Sequence, residues 1–382
     1  MQFRDLRAQY KHLENDILVG VKAVMESSDF ILGKPVDELE QKLAAYAGVQ
    51  HCVTCANGTD ALQLVLMAWG IGPGDAVFTS DFTFFASAGT ASIVGATPVF
   101  VDIDLDTFNI CPDDLERKIE QVKKEGKLNP KVIVPVDLFG QPADFDRIEE
   151  IAQRHGLKIL DDGAQGFGGD IRGKRVGAFG DAATTSFFPA KPLGCYGDGG
   201  AIFTNDAKLD TLLRSLRAQG RSPEDKYDNR LIGMNSRLDT LQAAILLVKL
   251  KAFEEFELQA VNRVADWYTE ALGNSVVTPT ILPGFLSSWA QYTIRLKNQS
   301  ERNAVQQYLK EQGIPSMVYY PKGLHQQTAY QDMNLRDEDY PNTTLATQTV
   351  LSLPMHPYLE KQDVEKVANA VIQGFAFKKG DL

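Results

Sequence analysis

The chain has 382 residues, 44% hydrophobic and 23% charged, a composition that excludes a disordered chain and suits a globular protein of two domains or one large one. Its 39 basic and 50 acidic side chains leave a net charge of −11, which excludes a generally basic nucleic-acid binder. No stretch reaches the roughly 18 apolar residues of a membrane span, and the opening Met1-Gln2-Phe3-Arg4-Asp5-Leu6-Arg7 lacks the apolar core of a signal peptide. A cytoplasmic protein with neither membrane nor nucleic-acid partners is expected.

Seven short β-rich runs alternate with helical patterns over the first two thirds: 51–55, 76–79, 97–102, 131–137, 157–161, 182–187 and 201–204. Between them, stretches such as 61–69 and 145–155 carry apolar residues at helical spacing. The pattern is βαβ, so the expected fold is α/β, a three-layer domain with a largely parallel sheet. From Ser236 the text changes. A proline-free helical stretch runs from Leu238 to about Leu272, followed by an α+β unit with strands at 290–296 and 316–319 and a helix at 300–312. The expected division is a large domain over 1–255 and a small C-terminal domain over 256–382.

Four cysteines are too few for a disulfide framework in a chain this long. Cys52 and Cys55 form a lone CxxC with no second ligand pair, and the five histidines are scattered, so these two read as small apolar residues of a buried strand and no metal is expected.

Ligands of α/β sheets bind beyond the carboxyl ends of the strands, and four segments stand out there. Ala56-Asn57-Gly58-Thr59-Asp60 lies between a strand and a helix that the pattern starts near Ala61. It suits either a phosphate cradle or a plain turn capped by Thr59. The strand at 157–161 ends in Asp161-Asp162-Gly163-Ala164-Gln165. Side chains alternate along a strand, so at most one carboxylate faces a crevice there; a solvent-exposed cap is the other reading.

Lys191 stands between Pro189-Ala190 and Pro192, after an apolar strand and before a glycine-rich turn. That is a poorly solvated place for an ammonium, and a lysine deprived of water becomes a usable amine nucleophile for a carbonyl. The stretch 214–237 carries Arg214, Arg217, Arg221, Lys226, Arg230 and Arg237 against three carboxylates, either a seat for an anionic substrate or an ordinary solvated face. Gly70-Ile71-Gly72-Pro73-Gly74-Asp75 follows a helix and ends in Asp75, so it is no dinucleotide fingerprint.

The run from Ser186 to Ala201, with Gly58-Thr59-Asp60-Ala61-Leu62 and Asn235-Ser236-Arg237-Leu238-Asp239, resembles the DegT/DnrJ/EryC1/StrS sugar aminotransferases, which are pyridoxal 5'-phosphate enzymes of aminotransferase fold type I. The likeness extends from Phe30-Ile31-Leu32-Gly33 to Leu353-Pro354-Met355-His356-Pro357-Tyr358-Leu359. Within that family, Phe187 to Gly200 is most similar to the branch that aminates UDP-2-acetamido-2-deoxy-3-oxo-D-glucuronate for O-antigen and related surface polysaccharides.

The resemblance implies a seven-stranded sheet and a cofactor bound covalently to Lys191, which then moves the proton. It implies that Asp162 pairs with the pyridine nitrogen, that Gln165 contacts the ring, and that Phe84 stacks on it. Gly58, Thr59 and Ser186 match phosphate contacts, and Asn235 matches one supplied by the neighbouring subunit of a homodimer. Arg237 and His325 match contacts to the nucleotide sugar. Glutamate is the implied amino donor. At Lys322-Gly323-Leu324-His325 the family pattern would place a proline before the leucine. The rival readings are a 4-oxo-6-deoxy nucleotide-sugar aminotransferase, a dehydratase, in which histidine replaces the lysine, and a non-catalytic regulatory protein of the same fold.

Overall fold

The computed structural model describes residues 1–222, 224–225 and 227–377. Two helices, α1 (Leu6–Ser27) and α2 (Lys34–Ala47), precede the sheet. Strands and helices then alternate: β1 (His51–Cys55), α3 (Gly58–Ala68), β2 (Asp75–Ser80), α4 (Ala86–Ile93), β3 (Thr97–Val101), α5 (Pro112–Glu125), β4 (Asn129–Val134), α6 (Phe145–His155) and β5 (Lys158–Asp162). Two short strands, β6 (Asp170–Ile171) and β7 (Lys174–Arg175), lead into β8 (Ala182–Ser186), β9 (Gly200–Thr204) and α7 (Ala207–Leu216).

The local chemistry explains these elements. In α6 the apolar Phe145, Ile148, Ile151 and Ala152 recur every three or four residues and are buried, Asp144 caps the start by accepting from Arg147 N, and Gly156 stops the helix at a left-handed φ of 68°. Its neighbours β4 and β5 are buried on both faces over 132–134 and 159–162, as parallel strands require, although β5 ends in two aspartates.

The central sheet has the order β1-β9-β8-β5-β4-β2-β3. Every pairing from β8 to β3 is parallel, and β9 runs antiparallel between β8 and β1. This reversal positions the site. Gly200, the first residue of β9, lies beside both Cys55, the last of β1, and Ser186, the last of β8. The segments after β1, β5 and β8 therefore converge at one end of the sheet.

Cys52 and Cys55 lie in this sheet on opposite faces, in different apolar cores, so they neither pair nor share a ligand. Among the described residues no group of His, Cys, Asp and Glu could hold a metal ion, and no helix is long and apolar enough to cross a membrane.

The helical stretch expected from Leu238 to Leu272 is α8 (Thr240–Ala252) and α9 (Leu258–Leu272), joined by a π-helical turn at Phe253–Glu257. Beyond it come β10 (Phe285–Leu286), β11 (Tyr292–Arg295), α10 (Gln299–Glu311), α11 (Pro341–Thr349), β12 (Val350–Leu353) and α12 (Lys361–Phe377). A separate apolar core gathers residues from Val261 to Val371 in this part of the chain.

The sequence pattern errs here. The run 316–319 is no strand, only a single bridge from Met317 to Ser352, and the antiparallel partner of β11 is β12. Four apolar-rich residues between a helix and Pro354 carry no period that separates strand from helix, so only the pairing identifies them.

Candidate active site

Helix α3 starts at Gly58, three residues earlier than its apolar pattern suggests. Asn57, not Thr59, is the cap, and its side chain accepts from Asp60 N at 2.8 Å. Gly58 and Thr59 therefore stand in the first turn, where backbone N–H groups have no intrahelical acceptor and the helix dipole favours an anion. The cradle is built to glycine dimensions: a Cβ on Gly58 would lie 2.7 Å from Ser186 Cβ, and one on Gly200 would lie 2.5 Å from Asn57 O. Ser186 brings its hydroxyl to the same place, where it accepts from Phe188 N at 3.3 Å.

Asp162 ends β5 and is buried. Its Oδ2 accepts from Ser87 Oγ at 2.7 Å and its Oδ1 from Ala164 N at 3.3 Å. Burial pushes this carboxyl above the ordinary carboxylate range, against the pull of the Ser87 hydrogen bond and of the Lys191 charge. Lys191 is shifted the opposite way. Burial lowers its amine below the usual lysine value while Asp162 pulls it back up, so the two groups sense each other across the pocket. Arg4 fixes the loop that carries the lysine, donating to Lys191 O at 2.9 Å and to Pro192 O at 3.3 Å.

Gln165 spans two elements. Its Oε1 accepts from Phe139 N at 3.0 Å and its Nε2 donates to Tyr320 OH at 3.2 Å. Tyr320 also lies 6.5 Å from the ring of Phe84, which is exposed beside the pocket. Lys191, Asp162, Gln165, Phe84, Gly58, Thr59 and Ser186 thus sit on segments that meet at one end of the sheet.

Asn235, Arg237 and His325 are placed differently. Asn235 is exposed, pairing only its backbone with Ala218, and Arg237 is half-buried two residues on. His325 is buried between two carboxylates, with Nδ1 2.5 Å from Asp81 Oδ2 and Nε2 3.0 Å from Asp337 Oδ1, and it stacks on Tyr340 at 4.6 Å. Both of its ring nitrogens are engaged, so it fastens the loop after β2, which carries Phe84, to the C-terminal part of the chain. Gly323, where the family pattern would place proline, packs against this clamp: a Cβ there would lie 2.7 Å from Asp81 Oδ2.

Three of the six cations in the stretch 214–237 are paired with acids of the same chain. Arg214 and Arg217 hold Glu40 at 2.7 and 2.6 Å, and Arg230 holds Glu224 and Asp228 at 2.7 and 3.0 Å. Lys226 lies outside the described residues. Of the two readings of this stretch, an anion seat or a solvated face, neither gives the pairing of Arg214, Arg217 and Arg230 within the chain. Arg214 also holds Asp210, one turn back on α7, at 3.0 Å; that spacing and the Arg230 pairs are local in the chain, whereas the proximity of Glu40 from α2 is invisible in sequence. Sequence reading also misses Arg4, Ser87 and Tyr320. For Ser87 the one available signal is its place one turn beyond Phe84.

Residues 11–372 match the DegT/DnrJ/EryC1/StrS aminotransferase family. The chain belongs to this family. UDP-2-acetamido-2-deoxy-3-oxo-D-glucuronate aminotransferase of Pseudomonas aeruginosa is 45% identical over 372 residues, 97% of this chain and 99% of the relative. A protein of Geobacillus stearothermophilus named a pleiotropic regulatory protein is 44% identical, covering 95% and 96% of the two chains. A crystal structure of a DegT/DnrJ/EryC1/StrS aminotransferase from Brucella abortus superposes with a TM-score of 0.94 at 50% identity, over 98% of this chain and 99% of that one. The chain is an aminotransferase of the DegT/DnrJ/EryC1/StrS type, and its cofactor is pyridoxal 5'-phosphate, which similar solved structures hold as pyridoxal and pyridoxamine forms. The residues present fit that group: a helix N-terminus free of side-chain bulk for the phosphate, a buried carboxylate for the ring nitrogen and a lysine amine that feels the charge of that carboxylate.

Proposed function

We propose that this enzyme transfers an amino group, with glutamate as donor, to a nucleotide-linked keto sugar, UDP-2-acetamido-2-deoxy-3-oxo-D-glucuronate, in the cytoplasmic synthesis of a surface polysaccharide. The observation that carries the reading is the juxtaposition of Lys191 and Asp162 at converging strand ends, in a chain 45% identical to an enzyme named for that substrate. The cofactor, when bound, supplies an electron sink conjugated to the transferred amine.

The protein's own work is positional and protic. Gly58, Thr59 and Ser186 hold the phosphate, Asp162 holds the proton of the ring nitrogen, and Phe84 covers the ring face. Lys191, which burial inclines toward the free amine, takes a proton from one carbon and returns it to another. The amine passes from donor to enzyme and then to the sugar ketone, so no outside oxidant or reductant is needed. Arg237 lies on the substrate side, and His325 serves that side through the Phe84 loop it clamps. The large domain, 1–255, carries the cofactor groups and Arg237, and the small domain, 256–382, carries His325 and closes the substrate end.

We take the working unit to be a homodimer in which Asn235 of a second copy reaches the phosphate. In support, Phe84, Phe188, Leu231 and Ile232 are large apolar residues left exposed. The regulatory relative favours a second reading, a non-catalytic binder, against which Lys191 stands. Lys191→Ala should abolish turnover and the covalent cofactor absorbance while leaving the fold intact by circular dichroism; normal turnover refutes the assignment. A panel of oxo-sugars, offered to enzyme preloaded with amine from glutamate, identifies the acceptor.

A further inference from the structure

Asp161 is fully buried one residue before Asp162, with its side chain on the opposite face of β5. Asp137, also fully buried, lies in the segment after β4 that runs alongside: Asp162 N donates to Pro135 O at 2.9 Å and Asp137 N to Asp162 O at 3.2 Å. By the register of the Val136–Asp162 bridge, Asp137 and Asp161 turn their side chains to the same face of the sheet, where the charge of Asp137 raises the hold of Asp161 on its proton. Asp137 Oδ1 accepts from Ala143 N at 2.9 Å, whereas Asp137 Oδ2 and both Asp161 oxygens have no donor among the described residues. The groups facing the pair are each other, Asp162, and the backbone N–H groups of Ala143 and, more distantly, Gly177; neither acid forms an ion pair.

The pair sits behind the turn that presents the cofactor residues. Gly166 N donates to Gly163 O at 3.0 Å, closing a turn that carries Asp162 on one side and Gln165 within it. Gly166 makes room for Asp137, and Gly163 lies in contact with it. A Cβ on Gly166 would lie 2.5 Å from Asp137 Oδ2, and one on Gly163 would lie 3.7 Å from it. Two buried carboxylates without a cation cannot both stay ionised, and one proton between them replaces repulsion with a hydrogen bond while satisfying two orphaned oxygens.

We propose that Asp137 and Asp161 are positioning residues, a proton-sharing carboxylic acid pair that braces the Asp162–Gly166 turn from behind and sets the negative charge standing beneath Asp162. The proposal rests on the reading that Asp162 meets the ring nitrogen. Burial pushes Asp137 up to about 8 and raises Asp161 well above the ordinary carboxylate range, the charge of Asp137 adding to the effect at Asp161, so the pair stays protonated at neutral pH. Below about pH 8 both acids hold protons and the pair is neutral; at higher pH a single proton is left, shared between the two. The one added negative charge then favours the protonated form of every nearby group, Asp162 and the bound cofactor included.

The test compares the wild type with Asp137→Asn/Asp161→Asn, an isosteric amide pair that keeps a mutual hydrogen bond without a titrating proton. Both acids hold protons more tightly in the folded than in the unfolded chain, so their contribution is undiminished below the ordinary carboxylate range and is lost as pH rises toward about 8. The melting temperature of wild-type apoenzyme should therefore fall relative to that of the double variant over this interval. Wild-type protein at neutral pH should show the infrared carbonyl band of a buried carboxylic acid, absent from the variant. With cofactor bound, the pH midpoint of its absorbance should move lower in the variant. Parallel melting profiles, or wild-type protein without the acid band, overturn the proposal, and the band decides alone if the variant does not fold. The apoenzyme readouts do not involve the cofactor, so they stand or fall separately from the role of Asp162.

Discussion

Ser87 shows how one hydroxyl governs the chemistry of the pocket. It donates to Asp162 Oδ2 at 2.7 Å and lies 3.3 Å from Thr83 Oγ1, so the carboxylate that burial drives toward protonation is held partly ionised by a neutral neighbour. A hydrogen bond to a charged acceptor contributes roughly 1.5–3 kcal/mol. Ser87→Ala should therefore lower kcat/KM about tenfold. It should also move the acid limb of the pH profile upward, because an Asp162 without its donor protonates at higher pH. Ser87→Thr, which restores the hydroxyl, should recover most of both effects in steady-state kinetics run across pH.

Among the elements, α2, β1 and α7 are knitted by one buried acid. Glu40 Oε1 accepts from Thr54 N at 2.9 Å and Arg217 Nη1 at 2.6 Å, and its Oε2 from Arg214 at 2.7 Å. This network stands behind the strand that delivers the phosphate cradle. Glu40→Ala leaves Arg217 buried without a counter-charge and should cost about 3–5 kcal/mol in denaturant unfolding. Burial alone would raise the Glu40 carboxyl, but Arg217 and Arg214 outweigh it and hold it below the ordinary glutamate value. With a depressed folded value, its stabilisation is complete above the ordinary glutamate range and is lost as pH falls through that lower value. Glu40→Gln should accordingly be less acid-sensitive than the wild type, although less stable at pH 7.

For the whole molecule, the arrangement of Asn235 carries the sharpest expectation. It stands exposed, and on the homodimer proposed above a complete site needs Lys191 from one subunit and Asn235 from the other. Lys191→Ala and Asn235→Ala chains, each crippled alone, should regain about a quarter of wild-type activity when mixed and refolded together, since half of random dimers are hybrids with one intact site each. Persistent inactivity of the mixture, with dimers confirmed by sedimentation, would assign Asn235 to its own subunit.

How much of this was legible in the sequence follows from where each signal resides. The alternation of short apolar runs with helical spacing is local, so it marks the strands of the central sheet and the proline-free helix before the C-terminal part. Lys191 between prolines and the paired acids at 161–162 are local too. The order of strands, the reversal at β9 that joins Cys55, Gly200 and Ser186, and the pairing of β11 with β12 depend on contacts between distant segments. So do the neutralisation of Arg214 and Arg217 by Glu40, the locking of His325 between Asp81 and Asp337, and the meeting of Asp137 with Asp161. Periodicity and residue type thus determined which elements form and which side chains could react. The folded chain alone decided which charges are paired and which face a ligand, because burial and Coulomb energy act through space.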